Sequence, residues 1–204
     1  LTAEEKDFVK NLKRDYEDSS YNITISEEKW RQLADLKEEN PAVLDPAYNT
    51  NEDGPPIKKV YRAGKFKFSG IPTKGWKRYK MYGIYNGTRL GDYNDEYYVL
   101  DFDGIVEESF QKTLLSMTVN FSTAEQFVKG SSANDGYIGA ILECETQKDP
   151  NLLFSFAHSN LSSSYREWEV VHIGNEFLTS RIFIRSKSIE SIVTSIGKTS
   201  ELAK

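Results

Sequence analysis

The strongest constraint on the fold is a change of hydrophobic period near residue 57. Ahead of it, Phe8, Val9, Leu12 and Tyr16 recur at helical spacing, and so do Trp30, Leu33 and Leu36. Beyond it the apolar residues alternate or fall in short β-prone blocks: Val60-Tyr61-Arg62, Phe66-Lys67-Phe68 and Tyr97-Tyr98-Val99-Leu100. A helix buries one stripe of every third or fourth side chain, whereas a strand buries every second one, so neither pattern can serve the other element. Helices first, then a strand-rich region with one or two inserted helices, predict an α+β fold.

Local signals set the expected boundaries. Thr2 as N-cap with Glu5 at the capping-box position opens a helix over residues 3–18. Ser26 caps a second helix, with Lys29 where a Glu would complete the box, and Pro41 and Pro46 close it. Asn49 to Pro56 reads as a loop. Short helices are expected around residues 106–115 and 122–129, and strands at 137–144, 152–157, 169–173 and 179–184, the last two joined by Gly174-Asn175. The expected organisation is a helical N-terminal segment, residues 1–50, packing on the same domain as a strand-rich core, residues 57–204.

Composition narrows the function classes. With 204 residues, 38% hydrophobic and 28% charged, the chain can bury a real core. No apolar run approaches the roughly 18–20 residues that span a bilayer. Leu1-Thr2-Ala3-Glu4-Glu5-Lys6 is acidic and polar, unlike a signal peptide, and a start at Leu1 suggests a processed or trimmed chain. The single Cys144 rules out an intramolecular disulfide and a cysteine-cluster zinc site, and two histidines make a His-rich centre unexpected. No metal is expected. The net charge of −5 argues against general nucleic-acid binding, and a monomer is expected.

Charge is nonetheless segregated. Lys58 to Arg89 holds ten Lys/Arg and no acid, interleaved with Phe66, Phe68, Trp76, Tyr79, Tyr82 and Tyr85, and Asp92 to Glu108 then holds seven acids and no base. A basic aromatic stretch suits nucleic acid or phosphates. The alternative is that the two stretches neutralise one another across a hairpin.

Tyr165-Arg166-Glu167-Trp168-Glu169-Val170-Val171 raises a different question. In an extended segment Glu167 and Glu169 point the same way. Like charges at close range cost stability, so a convergent pair suits a substrate that is cationic or becomes so in its transition state.

Three separated elements then fall in order: Val60-Tyr61-Arg62-Ala63-Gly64; Leu114-Leu115-Ser116-Met117-Thr118, with Ala124 and Phe127 eight and eleven residues after Ser116; and Tyr165 to Val170, reached through the loop Ser159 to Ser164. Over roughly residues 57–185 this resembles the mono-ADP-ribosyltransferase family of the arginine–serine–glutamate type. The signatures of that family are a Tyr-Arg-Gly-like arginine, a Ser-Thr-Ser-like strand and a Glu-x-Glu. Two departures stand: Ser116-Met117-Thr118 keeps hydroxyls only at its first and third positions, and Ala63 follows the arginine, with Gly64 one place later. A competing register on Ser122-Thr123-Ala124 lacks the third hydroxyl and leaves little room before the next strand.

The resemblance implies a split β-sandwich of two mostly antiparallel sheets, with NAD⁺ as substrate in a cleft and no metal. It implies that Glu169 stabilises the oxocarbenium ion on the ribose, Arg62 clamps the phosphates, Ser116 holds the Glu169 rotamer, and Thr118 supports the nicotinamide pocket. Glu167 selects an arginine side chain as acceptor, and Tyr165 contacts the target protein. Trp168 is expected in the core and His172 in a structural role. The implied function is arginine-directed mono-ADP-ribosylation of a target protein by a toxin or effector, secreted or delivered into a host cell. NAD⁺ glycohydrolysis on the same fold and a non-catalytic binding module using the basic 58–89 face are the alternatives, and a nucleic-acid target is left open.

Overall fold

The computed structural model describes residues 2–18, 22–44, 57–67, 71–72, 74–85, 88–108, 114–128, 137–154 and 169–185. In chain order the elements are α1 (Ala3–Asp18), β1 (Asn22–Ile23), α2 (Glu27–Glu39), α3 (Pro41–Leu44), β2 (Lys59–Lys67), β3 (Lys77–Tyr85), β4 (Thr88–Glu107), β5 (Leu114–Thr118), α4 (Phe121–Glu125), β6 (Tyr137–Glu145), β7 (Leu152–Phe154), β8 (Glu169–Ile173) and β9 (Glu176–Arg185). Helix and strand are mixed and the pairings are antiparallel, which is the expected α+β class. The elements gather into two units.

One unit holds α1, α2 and α3 with β1, β5, β7 and β8. The capping box forms at its first helix: the Glu5 N–H donates to Thr2 Oγ1 at 3.1 Å and the Thr2 N–H to Glu5 Oε1 at 2.8 Å. The bond from the Thr2 backbone holds the Glu5 carboxyl below its ordinary range, so this support is present at neutral pH and fades on acidification. Ser26 Oγ accepts from the Lys29 N–H at 3.3 Å and starts α2. The helix ends at Glu39 with Asn40 as its C-cap, directly before Pro41 as expected, and Pro41 in turn opens α3, because proline's missing N–H costs nothing at a first helical position; Pro46 lies outside the described residues. Asn40 marks the junction, donating from its backbone N–H and from Nδ2 to the Leu36 carbonyl.

The helical stripe and the strands meet in one cluster. Leu12, Tyr16, Ile25 and Leu33 pack with Leu114, Val171 and Ile173, and Phe8, Val9 and Trp30 lie at its margin. The β5–β8 register explains the strand contribution: Leu114 opposes Ile173 and Ser116 opposes Val171, so Leu114, Val171 and Ile173 share a face. Leu33 is fully buried there, and Leu33→Ala should lower unfolding free energy by about 2–5 kcal/mol in urea titration.

The other unit holds β2 from Tyr61 onward with β3, β4, β6, β9 and α4, and its strand order is β3-β4-β9-β6-β2. Tyr97, Val99, Phe121, Ala124, Ile141 and Phe183 form its core, joined by Tyr61, Ala63 and Val128. Phe121 brings α4 onto the sheet, its ring meeting Tyr61 and Tyr97 edge to face with centroids 5.4 Å from each. The Tyr97 hydroxyl, raised in pKa chiefly by burial, donates to Glu125 at 2.8 Å and ties α4 down a second time.

Several expectations change. The helix around residues 106–115 is absent as such: Val106 and Glu107 finish β4, Leu114 and Leu115 open β5, and residues 109–113 lie outside the described residues. Their apolar residues are spaced as a helix would space them, but Val106 and Leu114 are buried on strands. The helix expected at 122–129 is the shorter α4, with Asn120 at its N-cap. Strand β3 and the length of β4 were not anticipated, because the charges alternating through them mask a strand pattern. The strands expected at residues 137–144 and 169–173 are β6 and β8, and Gly174 follows β8 with φ 86°, a left-handed conformation that favours glycine.

Candidate functional site

Ser116, Thr118 and Glu169 come together. Strands β5 and β8 pair antiparallel, with Thr118 opposite Glu169, Met117 opposite Val170 and Ser116 opposite Val171. Residues far apart in the chain thus occupy adjacent positions on neighbouring strands, directly opposed Cα atoms lying about 4.5–5.5 Å apart in such a ladder. Thr118 is buried and Ser116 half-buried. Glu167, Tyr165, Trp168 and the loop Ser159 to Ser164 lie outside the described residues.

The far end of β8 is locked by His172. Its Nδ1 lies 2.7 Å from the Gly174 carbonyl oxygen. Its Nε2 lies 2.8 Å from Asp149 Oδ2, and Asp149 Oδ1 accepts from the Asn151 N–H at 2.9 Å. The Asn151 carbonyl in turn accepts from the Ile173 N–H at 2.8 Å. These bonds hold β8 beside β7, and the structural role expected of His172 is what they describe.

Arg62 belongs to the other unit, on β2. Its Nε and Nη2 donate to Glu108 Oε1 at 3.1 and 2.7 Å. Arg62 keeps 19% of its side chain exposed and Glu108 none. Tyr61, next in sequence, faces a separate network around the buried Glu143. That carboxylate accepts from the Tyr61 hydroxyl at 3.1 Å, from Arg181 Nε and Nη2 at 2.8 and 2.6 Å, and from Ser180 Oγ at 3.0 Å. Burial, and then the Glu143 charge, push the Tyr61 phenol well above its ordinary pKa, so it stays a donor. Ala124 is buried against this unit's core, whereas Phe127 is exposed.

The segregated charge resolves into pairs. Arg62 meets Glu108, Lys67 meets Glu107 at 2.9 Å, and Arg78 meets Glu96, so three cations of the basic stretch are answered by acids of the stretch that follows. Antiparallel pairing of β3 with β4 brings part of this about, with Arg78 opposite Tyr98 and Lys80 opposite Glu96. Arg78 also lies 5.6 Å from the centre of the Tyr98 ring. Pairing of this kind favours the neutralising reading over a nucleic-acid face.

An open groove of about 630 Å³ lies along α1 and α2, rimmed by Glu5, Glu27, Glu28, Asp35 and Glu39, with Arg31 bonded to Glu27. Its acids are solvated and bring no nucleophile or base into an enclosed space. Among the described residues no three His, Cys, Asp or Glu side chains gather as a metal site, and no helix is long and apolar enough to cross a membrane.

Glu108, Glu143 and Asp149 were not singled out from sequence. Glu108 sits inside an acidic run in which no residue stands apart, and Glu143 lies in the apolar block Ile141 to Cys144, where a lone acid in a buried strand is the signal to look for. Compared with family models, curated proteins and solved structures, the chain matches none.

Proposed function

We propose that the chain is an NAD⁺-dependent mono-ADP-ribosyltransferase that modifies arginine side chains of a target protein, acting as a toxin or effector. The observation that carries the reading is the β5–β8 ladder, in which Thr118 opposes Glu169 and Ser116 lies two residues along. A carboxylate that must work beside a ribose needs a fixed backbone and neighbouring hydroxyls, and adjacent strands supply both. The reading includes the fold, a split β-sandwich of two mostly antiparallel sheets.

The chemistry follows from charge. Nicotinamide leaves NAD⁺ as a neutral molecule when its bond to ribose C1 breaks, and positive charge develops on the ribose. Glu169 stabilises that cation and hydrogen-bonds the 2′-hydroxyl, Ser116 fixes the Glu169 rotamer, Thr118 supports the nicotinamide pocket, and Arg62 binds the phosphates with its planar fork. A nitrogen of the acceptor guanidinium then bonds to C1 and its proton passes to Glu167, which also orients the acceptor. Tyr165 contacts the target.

Agmatine, a small guanidinium acceptor, tests the assignment of Glu167. Wild type should form ADP-ribosyl-agmatine, and Glu167→Gln should lose roughly 10²-fold or more of that transfer while still hydrolysing NAD⁺ slowly. Undiminished transfer to agmatine in Glu167→Gln would remove the arginine specificity from the account.

A further inference from the structure

We propose that Glu108 is the positioning residue of Arg62, seated over Gly64 so that the guanidinium is held ready for a diphosphate. The inference rests on the transferase reading for its substrate, but the geometry stands on its own. Arg62, Gly64 and Phe66 alternate onto one face of β2. Glu108 follows the end of β4, and its backbone bridges to Phe66. The carboxylate then lies over Gly64, where an added Cβ would come within 2.7 Å of Oε1 and 3.4 Å of the Phe66 ring. A side chain at this position would have to push the carboxylate aside. The glycine displaced by one place from the family pattern, after Ala63, thereby acquires a specific role.

Net stability is a weak reason for the arrangement. A buried ion pair is often no better than apolar side chains of similar volume, because desolvation offsets the attraction. What the pair does supply is orientation. Nε and Nη2 form one edge of the fork, and pinning both on a single oxygen fixes the plane of the guanidinium. An arginine already held loses less rotamer freedom when it grips a phosphate, so binding is tighter than a mobile arginine would give. Glu108 touches no substrate in this account and acts only through Arg62.

The test measures ADP binding by calorimetry alongside KM and kcat for NAD⁺, in wild type, Glu108→Leu, Glu108→Gln and Gly64→Ala. Wild type should bind ADP, and Arg62→Ala should abolish that binding. Glu108→Leu should weaken ADP binding and raise KM about tenfold or more with kcat little changed. Glu108→Gln keeps an acceptor for Arg62 and should restore most of both. Gly64→Ala retains every charge but displaces the carboxylate, and should copy Glu108→Leu even if the latter folds poorly. A merely structural role would lower the amount of folded enzyme without moving KM. Unchanged KM and ADP affinity in Glu108→Leu and Gly64→Ala, or no ADP binding by wild type, would overturn the inference. ADP binding that depends on Glu108 without any nicotinamide release would instead sink the transferase reading and leave the positioning intact.

Discussion

On the proposed transferase reading, Glu169→Gln should lower the rate of nicotinamide release from NAD⁺ by about 10²–10³-fold, with KM for NAD⁺ nearly unchanged. The split follows from where the charge appears. The ribose of ground-state NAD⁺ carries little excess positive charge, so in this reading Glu169 would contribute modestly to substrate binding. Once the glycosidic bond stretches, the ribose becomes cationic, and a carboxylate beside it stabilises the transition state selectively. Glutamine keeps the shape and the hydrogen bond to the 2′-hydroxyl but not the charge. Glu169 begins β8 directly opposite Thr118, and the whole strand is anchored through its buried residues Val170, Val171, His172 and Ile173, so the exchange should leave the fold in place. Steady-state kinetics of nicotinamide release, with a thermal melt as control, measures this. A rise in KM with kcat retained would move Glu169 from the chemical step to ground-state binding.

Asp149→Ala should destabilise the chain by about 3–5 kcal/mol. Asp149 and His172 have side chains 1% and 0% exposed, and Asp149 is bonded to His172 and to the Asn151 N–H. Removing the carboxylate leaves the buried His172 Nε2 without that partner and loosens the turn whose Asn151 carbonyl holds Ile173. Asp149→Asn, which keeps an oxygen for one of the two partners, should cost distinctly less. Urea unfolding of the three proteins decides the matter. Because the damage lies at the end of β8 remote from Glu169, KM for NAD⁺ should hold wherever the variant is still folded.

The sequence was legible where a local signal and the tertiary environment agree. Thr2 and Glu5 cap α1 as their spacing predicts, and the stripe of Leu12, Tyr16 and Leu33 is the core it looks like. Strand β8 occupies the β-prone run expected at residues 169–173. The alternation that marks a strand fails where both faces carry charge. Lys77, Arg78 and Lys80 therefore hid β3, although the acids that follow in β4 are the partners that make such a strand tolerable. The segment near residues 106–115 misled for the opposite reason, since apolar residues that belong to two different strands fell by chance at helical spacing.

For the candidate site, residue type and order pointed to Arg62, Ser116 and Glu169, and the adjacency of β5 and β8 came only from the fold. Nothing in the order of residues announces that Ser116 and Thr118 will lie opposite Val171 and Glu169, because strand pairing is set by the packing of Leu114, Val171 and Ile173 on the helices. Glu108 was illegible for a related reason. One acid among seven gains its meaning from the open space over Gly64, and a sequence does not display empty space.

The most direct test of the account is mass-spectrometric detection of ADP-ribosyl-agmatine and free nicotinamide after the purified chain is incubated with NAD⁺ and agmatine. The account predicts both products in wild type and neither above background in Glu169→Gln. Absence of nicotinamide release by wild type with and without acceptor, together with no heat of NAD⁺ binding, would contradict it.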